Sequence, residues 1–251
     1  MVTPALLYSD ALVFIRLFEM NMIMNGKYLL QIVALLVGMA WLADGMAQAR
    51  AAGYAEHTPG YRYHVDATRS YHAGQFASAK SKFTAAARWA DKLAQFNLGV
   101  MNYHGHGVRQ DWARAWAWFA LSAERGYPEM VEMAEIVFDQ LSEAQKARGQ
   151  RILENELLPE FGDAVAIERT ATRMERERRR ATGSRTGFVG NLVVIDRSGR
   201  NRSGDEFFRA EAWDFRQIVE LETRIFRALA SGGVTLRDFE IIEEDDDAAE
   251  N

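Results

Sequence analysis

The 251-residue sequence contains no cysteine and only four prolines. Without cysteine the chain has no disulfide framework, no thiol nucleophile and no attachment point for a lipid anchor. The sequence also lacks an excess of positive charge, because its net charge is −5 and residues 50–239 carry 28 basic against 25 acidic side chains. A strongly basic surface for nucleic acid is therefore excluded, and we expect no nucleic-acid partner.

Motifs of the common catalytic sites are missing as well. The sequence has no G-x-S-x-G nucleophile elbow, no G-x-G-x-x-G and no phosphate-binding loop, since Gly105 and Gly107 follow no predicted strand. His104 and His106 form an H-x-H pair of the kind that can ligate a metal. No second cluster of ligand residues accompanies this pair, so we expect no metal, no cofactor and no catalysis.

The first 49 residues have the pattern of a targeting segment. Lys27 precedes an apolar run over residues 28–42, and Ala47-Gln48-Ala49 follows as an A-x-A cleavage signal. We therefore predict a signal peptide in residues 1–49, with Met24 as an alternative start, and a periplasmic mature protein. The alternative is an uncleaved anchor in the inner membrane, in which case this segment alone contacts the membrane.

Residues 93–126 predict two helices joined by a tight turn. Apolar residues recur at helical spacing from Leu93 to Tyr103 on two stripes, which indicates a helix contacted from two sides. Gly105 and Gly107 can adopt the positive φ of a sharp helix exit. Asp111 then has the position of an N-cap for the second helix, and Gly126 ends it.

This pattern repeats along the chain. A shift of 36 residues superposes Phe76 on Trp112 and Phe83 on Phe119. The motif positions of the central unit are Leu98, Gly99, Gly105, Gly107, Val108, Asp111, Ala115, Trp118, Ala123 and Gly126. In these residues the sequence resembles the Sel-one-like repeat, a helical hairpin of the tetratricopeptide type. The resemblance implies a mainly α protein that forms a short α-solenoid of helical hairpins and acts as an adaptor.

The remaining pattern divides the chain into segments. They are a linker over 50–61, helix pairs over 62–162, a charged helix over 163–182, a small α+β extension over 183–242 and an acidic disordered tail over 243–251. Within the extension we predict strands at 188–196, at 206–209 and in 234–241, with a helix over 213–230. The arginine-rich end of the charged helix is interpreted as a solvated face with i,i+4 ion pairs, and the three tryptophans of residues 112–118 as packing between helices.

The resemblance also implies a binding surface, because the first helix of each tetratricopeptide-type pair lines the concave face. The residues placed there are Leu93, Phe96, Val100, Tyr103 and His104, with Glu129, Glu132, Ile136 and Asp139 at equivalent positions. An apolar strip beside an acidic one suits a protein or peptide of the cell envelope with a hydrophobic anchor and basic flanks. Alternatively, the helix over 213–230 or the final strand fills this groove in cis.

Two other functions remain open at this point. Some exported relatives of this repeat type are associated with β-lactam or peptidoglycan, which suggests an enzyme or accessory of cell-wall metabolism. An uncleaved N-terminal segment would instead suggest a structural envelope protein.

Overall fold

Helices make up most of the residues that the structure describes, together with one small two-stranded sheet. The computed structural model describes residues 57–183, 189, 191–195 and 201–230. The predicted signal peptide, most of the linker, the final strand and the acidic tail lie outside the described residues. The helices are α1 (Pro59–His72), α2 (Phe76–Arg88), α3 (Lys92–His104), α4 (Trp112–Ser122), α5 (Pro128–Gln140), α6 (Glu143–Ile152), α7 (Leu158–Phe161), α8 (Asp163–Thr182), α9 (Gly204–Phe207), α10 (Ala210–Trp213) and α11 (Phe215–Ala230).

Side-chain caps determine where several helices begin. The Asp91 carboxylate accepts a hydrogen bond from the Ala94 amide at 2.9 Å, and Asp111 caps α4 as predicted. Ser142 and Gln145 form a capping box at the start of α6. The linker prediction was three residues too long, because Thr58 caps a helix that already begins at Pro59.

The 36-residue repeat is visible in helix positions and in backbone conformation. The first residues of α2 and α4 are 36 apart, and so are those of α3 and α5. Gly126 has φ +70°, and Ala90, 36 residues earlier, has φ +62°. Because alanine adopts the left-handed region of positive φ at a cost of roughly 1–2 kcal/mol, the surrounding fold must impose this conformation on Ala90.

The helices pack in sequence order through α4. Helix α1 packs on α2, α2 on α3, and α3 on α4, while α4 contacts both α5 and α6. One core cluster lies between α1, α2, α3, α4 and the segment 152–161, and a second lies between α3, α4 and α5. The second cluster contains Phe96, Val100, Ala115, Phe119, Tyr127, Met130, Ala134 and Val137.

The glycines of the central turn have the predicted conformation. Gly105 has φ +77° and Gly107 has φ +69°. A Cβ on Gly107 would lie 2.8 Å from the carbonyl carbon of Phe76, so this glycine also allows the turn to approach the preceding helix pair. Gly99 has a similar role, because a Cβ there would lie 2.6 Å from the ring of Phe119.

The other motif positions are structural too. Leu98, Ala115 and Trp118 are buried, whereas Val108 and Ala123 are half-buried. The motif therefore marks tight packing between helices within this part of the chain.

Beyond α5 the regular pattern changes. Helix α6 packs along α4 rather than along α5, and it continues through a π turn (Leu153–Leu157) into α7. The helix runs on to Phe161, so the helical segment ends at Gly162, the last residue of the predicted 62–162 range. Pro159 lies inside this continuous helix, two residues after the π turn, and its missing N–H leaves one intrahelical hydrogen bond unmade.

The charged helix spans Asp163–Thr182, as predicted, and carries the expected Arg173–Glu177 and Arg179–Glu175 pairs. Strands β1 (Val193–Ile195) and β2 (Asn201–Ser203) pair antiparallel. The predicted strand at 206–209 was wrong, because residues 204–207 form α9 and the partner of β1 lies earlier in the chain, at Asn201–Ser203.

The last helix packs on the charged helix. Phe215, Ile218 and Val219 of α11 form a cluster with Ala166 and Met174 of α8. The helical part of the predicted 213–230 segment thus lies against α8, and the alternative in which it fills the α3 groove is wrong.

Candidate functional site

An open cleft lies where α5 and α6 diverge. Its volume is about 480 Å³, and helix α4 forms its floor. We call it the aromatic cleft, and it is lined by Trp116, Ala120, Ala123, Val131, Ala134, Glu135, Phe138, Asp139 and Gln150. It exists because α6 follows α5 with almost no loop and packs on α4, leaving the space beside α5 unfilled.

The floor of the cleft is aromatic. The rings of Trp116 and Phe138 lie 5.0 Å apart at an angle of 45°, and both side chains are half-buried. Gly149 of α6 allows this arrangement, because a Cβ there would lie 2.6 Å from the Trp116 ring. Ala120 and Ala134 line the cleft beside the rings with small side chains. Such a concave apolar surface can accept an aliphatic or aromatic side chain.

One rim of the cleft is acidic. Helix α5 carries Glu129, Glu132, Glu135 and Asp139 and no basic residue. Glu132, Glu135 and Asp139 are exposed, and within the described stretches of the chain none of them forms an ion pair. Like charges three or four residues apart destabilise a helix by roughly 0.2–0.5 kcal/mol per pair. Burial, with Glu132 nearby, raises the pKa of Glu129.

One cation lies near this rim. The Lys146 ammonium is 4.9 Å from the centroid of the Phe138 ring and 2.9 Å from Glu143. Its charge is already matched by Glu143, so the row of carboxylates on α5 keeps its negative potential.

The groove predicted on α3 is closed at two positions. Phe96 and Val100 are 2% and 8% exposed, because they share one buried cluster with Met130 and Val137 of α5. These two residues therefore cannot contact a partner, which corrects the prediction. The physical reason is that α5 packs onto the apolar stripe of α3 that was expected to stay open.

The other predicted groove residues are more accessible but do not form one surface. Leu93, Tyr103, His104 and Ile136 are half-buried, and Tyr103 donates to Gln140 at 3.3 Å. Glu129 and Glu132 lie outside the lining of the aromatic cleft. Only Asp139 of the predicted set lines it.

Sequence reasoning missed Trp116, Phe138 and Gln150 as cleft residues. The tryptophans of α4 were all assigned to packing, which holds for Trp118 at 6% exposure but not for Trp112 at 40%. The available signal was the missing glycine turn between α5 and α6, because two helices joined without a loop cannot fold back on each other as a tight hairpin.

A second set of polar residues lies where α3, α8 and α11 meet, and Lys92 and Arg125 at its centre are buried. The Lys92 ammonium has 0% exposure and lies 2.6 Å from Glu124 and 3.1 Å from Asp163. Arg125 makes two bonds to Asp163, at 2.8 and 3.1 Å, and one to Glu222 at 3.3 Å. We call these five residues the buried charge network.

The network is fully occupied by its own contacts. Burial lowers the pKa of Lys92, and its contact with Arg125 lowers it further, although Asp163 and Glu124 oppose the shift. Burial alone would also lower the pKa of Arg125, but Asp163 outweighs it and the net shift is upward. Lys92 also donates to the Leu121 carbonyl oxygen. With its hydrogens committed and its side chain buried, Lys92 is poorly placed as a base.

The two histidines of the turn belong to an aromatic stack. Tyr71 Oη and His106 Nδ1 are 2.7 Å apart, and the His106 ring stacks on Phe76 at 4.7 Å. Burial, and then the neighbouring His106, lowers the pKa of His104 to about 4. In the described part of the chain, no group of three or more His, Cys, Asp or Glu side chains is arranged to hold a metal.

Comparison with known proteins finds no similar protein. No family model, no curated protein and no solved structure matches the chain. Within the described residues, no helix is both long and apolar enough to cross a membrane.

Proposed function

We propose that this protein is a non-catalytic protein-interaction module that binds a peptide segment in the aromatic cleft. The observation that carries the proposal is the apolar cleft of about 480 Å³ beside a row of carboxylates that have no ion partner among the described residues. The expected ligand has a Leu, Phe or similar anchor that packs on the exposed surface of the Trp116 and Phe138 rings. Lys or Arg residues beside the anchor would pair with Glu135 and Asp139.

We further propose that the helices form a short α-solenoid of the Sel-one-like type. The 36-residue spacing of the helix starts and the shared positive φ of Ala90 and Gly126 support this architecture. The A-x-A signal at Ala47–Ala49 supports export to the periplasm. The buried charge network takes no part in this proposal, because Lys92 and Arg125 line none of the described clefts.

Peptide binding tests the main proposal. Two fluorescent peptides would share Leu and Phe anchors and differ only in flanks of Lys or Glu, with binding followed by fluorescence polarisation. We expect the Lys-flanked peptide to bind more tightly. The double variant Glu135→Lys and Asp139→Lys removes two surface pairs of roughly 0.2–1 kcal/mol each, which weakens binding by on the order of 2- to 30-fold.

The matched control reverses two charges elsewhere. Glu154 and Glu220 are exposed and make no ion pair within the described residues, so Glu154→Lys with Glu220→Lys gives the same change in net charge. Equal loss of binding in both double variants would show a general charge effect and contradict the cleft. Ala120→Leu, which fills the cleft from α4, must also abolish binding if the anchor lies there.

A further inference from the structure

A second open surface lies on the far side of α6, and it is rich in arginine. Two cavities of about 440 and 350 Å³ adjoin there, because Arg148 lines both. We call this surface the arginine cleft. Its lining consists of Arg109, Gln110, Asp111, Trp112, Arg114, Gln145, Arg148, Arg151, Ile152, Asn155 and Glu156.

The cleft has an excess of positive charge. Arg148 pairs with Asp111 through bonds of 2.9 and 2.5 Å, and Arg114 pairs with Glu156 at 2.7 Å. Arg109 and Arg151 are exposed and form no ion pair within the described part of the chain. Four arginines therefore face two carboxylates.

The shape of the cleft favours an extended polyanion over a compact one. Arg109 lines one cavity and Arg151 the other, so no single small anion contacts both. The Trp112 ring is 40% exposed, with Tyr103 stacked against it at 6.1 Å. Gln145 Oε1 accepts from the Ser142 amide, which leaves its NH₂ group for an acceptor. A segment with several carboxylates along its length matches these donors.

The chain itself contains such a segment. Residues 240–251 carry seven acidic side chains and no basic one. About fifteen residues separate the end of α11 at Ala230 from Asp245–Asp247, which can span roughly 50 Å. A compact body of this size is about 40 Å across, so the reach suffices. Tethering on one chain gives an effective concentration of about millimolar, at which even weak charge complementarity leads to occupancy.

We propose that the acidic segment Glu240–Glu250 docks in the arginine cleft of its own chain. A competing location is the exposed ridge of α8, where Arg176 and Arg180 also form no ion pair within the described residues. The cleft is favoured because a concave surface focuses the field, whereas a convex ridge is screened by solvent. Docking there would shield the cleft from other acidic ligands.

Because the sequence contains no cysteine, spin labels attach only to the cysteines that are introduced, and the distance between two labels can be assigned. Spin labels on Ala147→Cys, exposed on α6, and Ala248→Cys, within the acidic segment, report their separation by pulsed electron resonance. We expect a short, narrow distance at low salt that broadens at about 1 M NaCl, where the Debye length is about 3 Å. The double variant Arg109→Glu with Arg151→Glu must abolish the short distance. The triple variant Asp245→Asn, Asp246→Asn and Asp247→Asn must abolish it as well.

The control variants decide between locations. Arg176→Glu with Arg180→Glu must leave the short distance unchanged. A short distance from Ala248→Cys to Thr172→Cys on α8, lost in this control pair, would place the segment on the ridge and overturn the proposal. Loss of the short distance on dilution with unlabelled protein would show docking between chains, and a broad distribution in the parent protein would show no docking. Either result would also overturn it.

Discussion

Gly107 is the most constrained position of the central turn, and Gly107→Ala tests why. Its φ of +69° costs alanine roughly 1–2 kcal/mol. The added Cβ would also lie 2.8 Å from the carbonyl carbon of Phe76 and 3.0 Å from its oxygen, an overlap with backbone that costs about 1–3 kcal/mol. Reduced entropy of the unfolded chain returns about 0.4–1 kcal/mol. We expect a net loss of about 1–5 kcal/mol in the free energy of unfolding.

Gly126→Ala and Gly74→Ala are the matched controls. They have φ of +70° and +71°, and no atom lies within 4 Å of the added Cβ. Each control substitution therefore has the free-energy cost of placing alanine at positive φ, but no overlap of its Cβ with neighbouring atoms. In urea denaturation, Gly107→Ala should have a lower free energy of unfolding than both controls. In thermal melting, its Tm should be lower than theirs by roughly 2–10 °C.

The comparison isolates the contact between helix pairs. If Gly107→Ala has the same Tm as the two controls, the turn does not pack closely against the Phe76 backbone. The close approach of the central pair to the preceding one would then be refuted.

Two further predictions concern the core and the histidines. Phe96→Ala should lower the free energy of unfolding by about 3–5 kcal/mol in urea, because the ring is buried, and Leu93→Ala should cost less, because Leu93 is half-buried. His104 has its pKa lowered from 6.5 to about 4, so the unfolded chain binds more protons between these values and stability falls as pH drops from 6.5 to 4. His104→Gln should flatten that part of the stability–pH curve; His57, with its pKa also near 4, accounts for part of the remaining slope.

Local signals in the sequence were reliable where the physics is local. The cap at Asp111, the turn glycines and the limits of α8 depend on residues within a few positions, and all were predicted. The strand at 206–209 was wrong because four residues with two adjacent apolar side chains also fit a short helix. The strand that pairs with β1 is Asn201–Ser203 instead.

The candidate site depends on long-range packing, which the sequence pattern does not encode. The apolar stripe of α3 was identified correctly, but whether it meets α5 or a partner depends on how closely the two helices approach. Likewise, Lys92 and Arg125 resemble ordinary surface residues in the sequence. They become a buried network only because Asp163 and Glu222 arrive from helices 38 and 97 residues beyond Arg125.

That network leads to the last prediction, Arg125→Met. Removing the guanidinium leaves the partly buried Asp163 with Lys92 alone and Glu222 without this partner, and breaking a buried ion pair from one side costs about 3–5 kcal/mol. Arg88→Met is the control, since its pair with Glu160 is about half-exposed on both sides and contributes about 0–1 kcal/mol. Because Arg125 joins the central repeat to α8 and α11, hydrogen exchange should accelerate most in those two helices. Equal destabilisation by both substitutions, or uniform exchange across the protein, would show that the network does not hold the C-terminal helices in place.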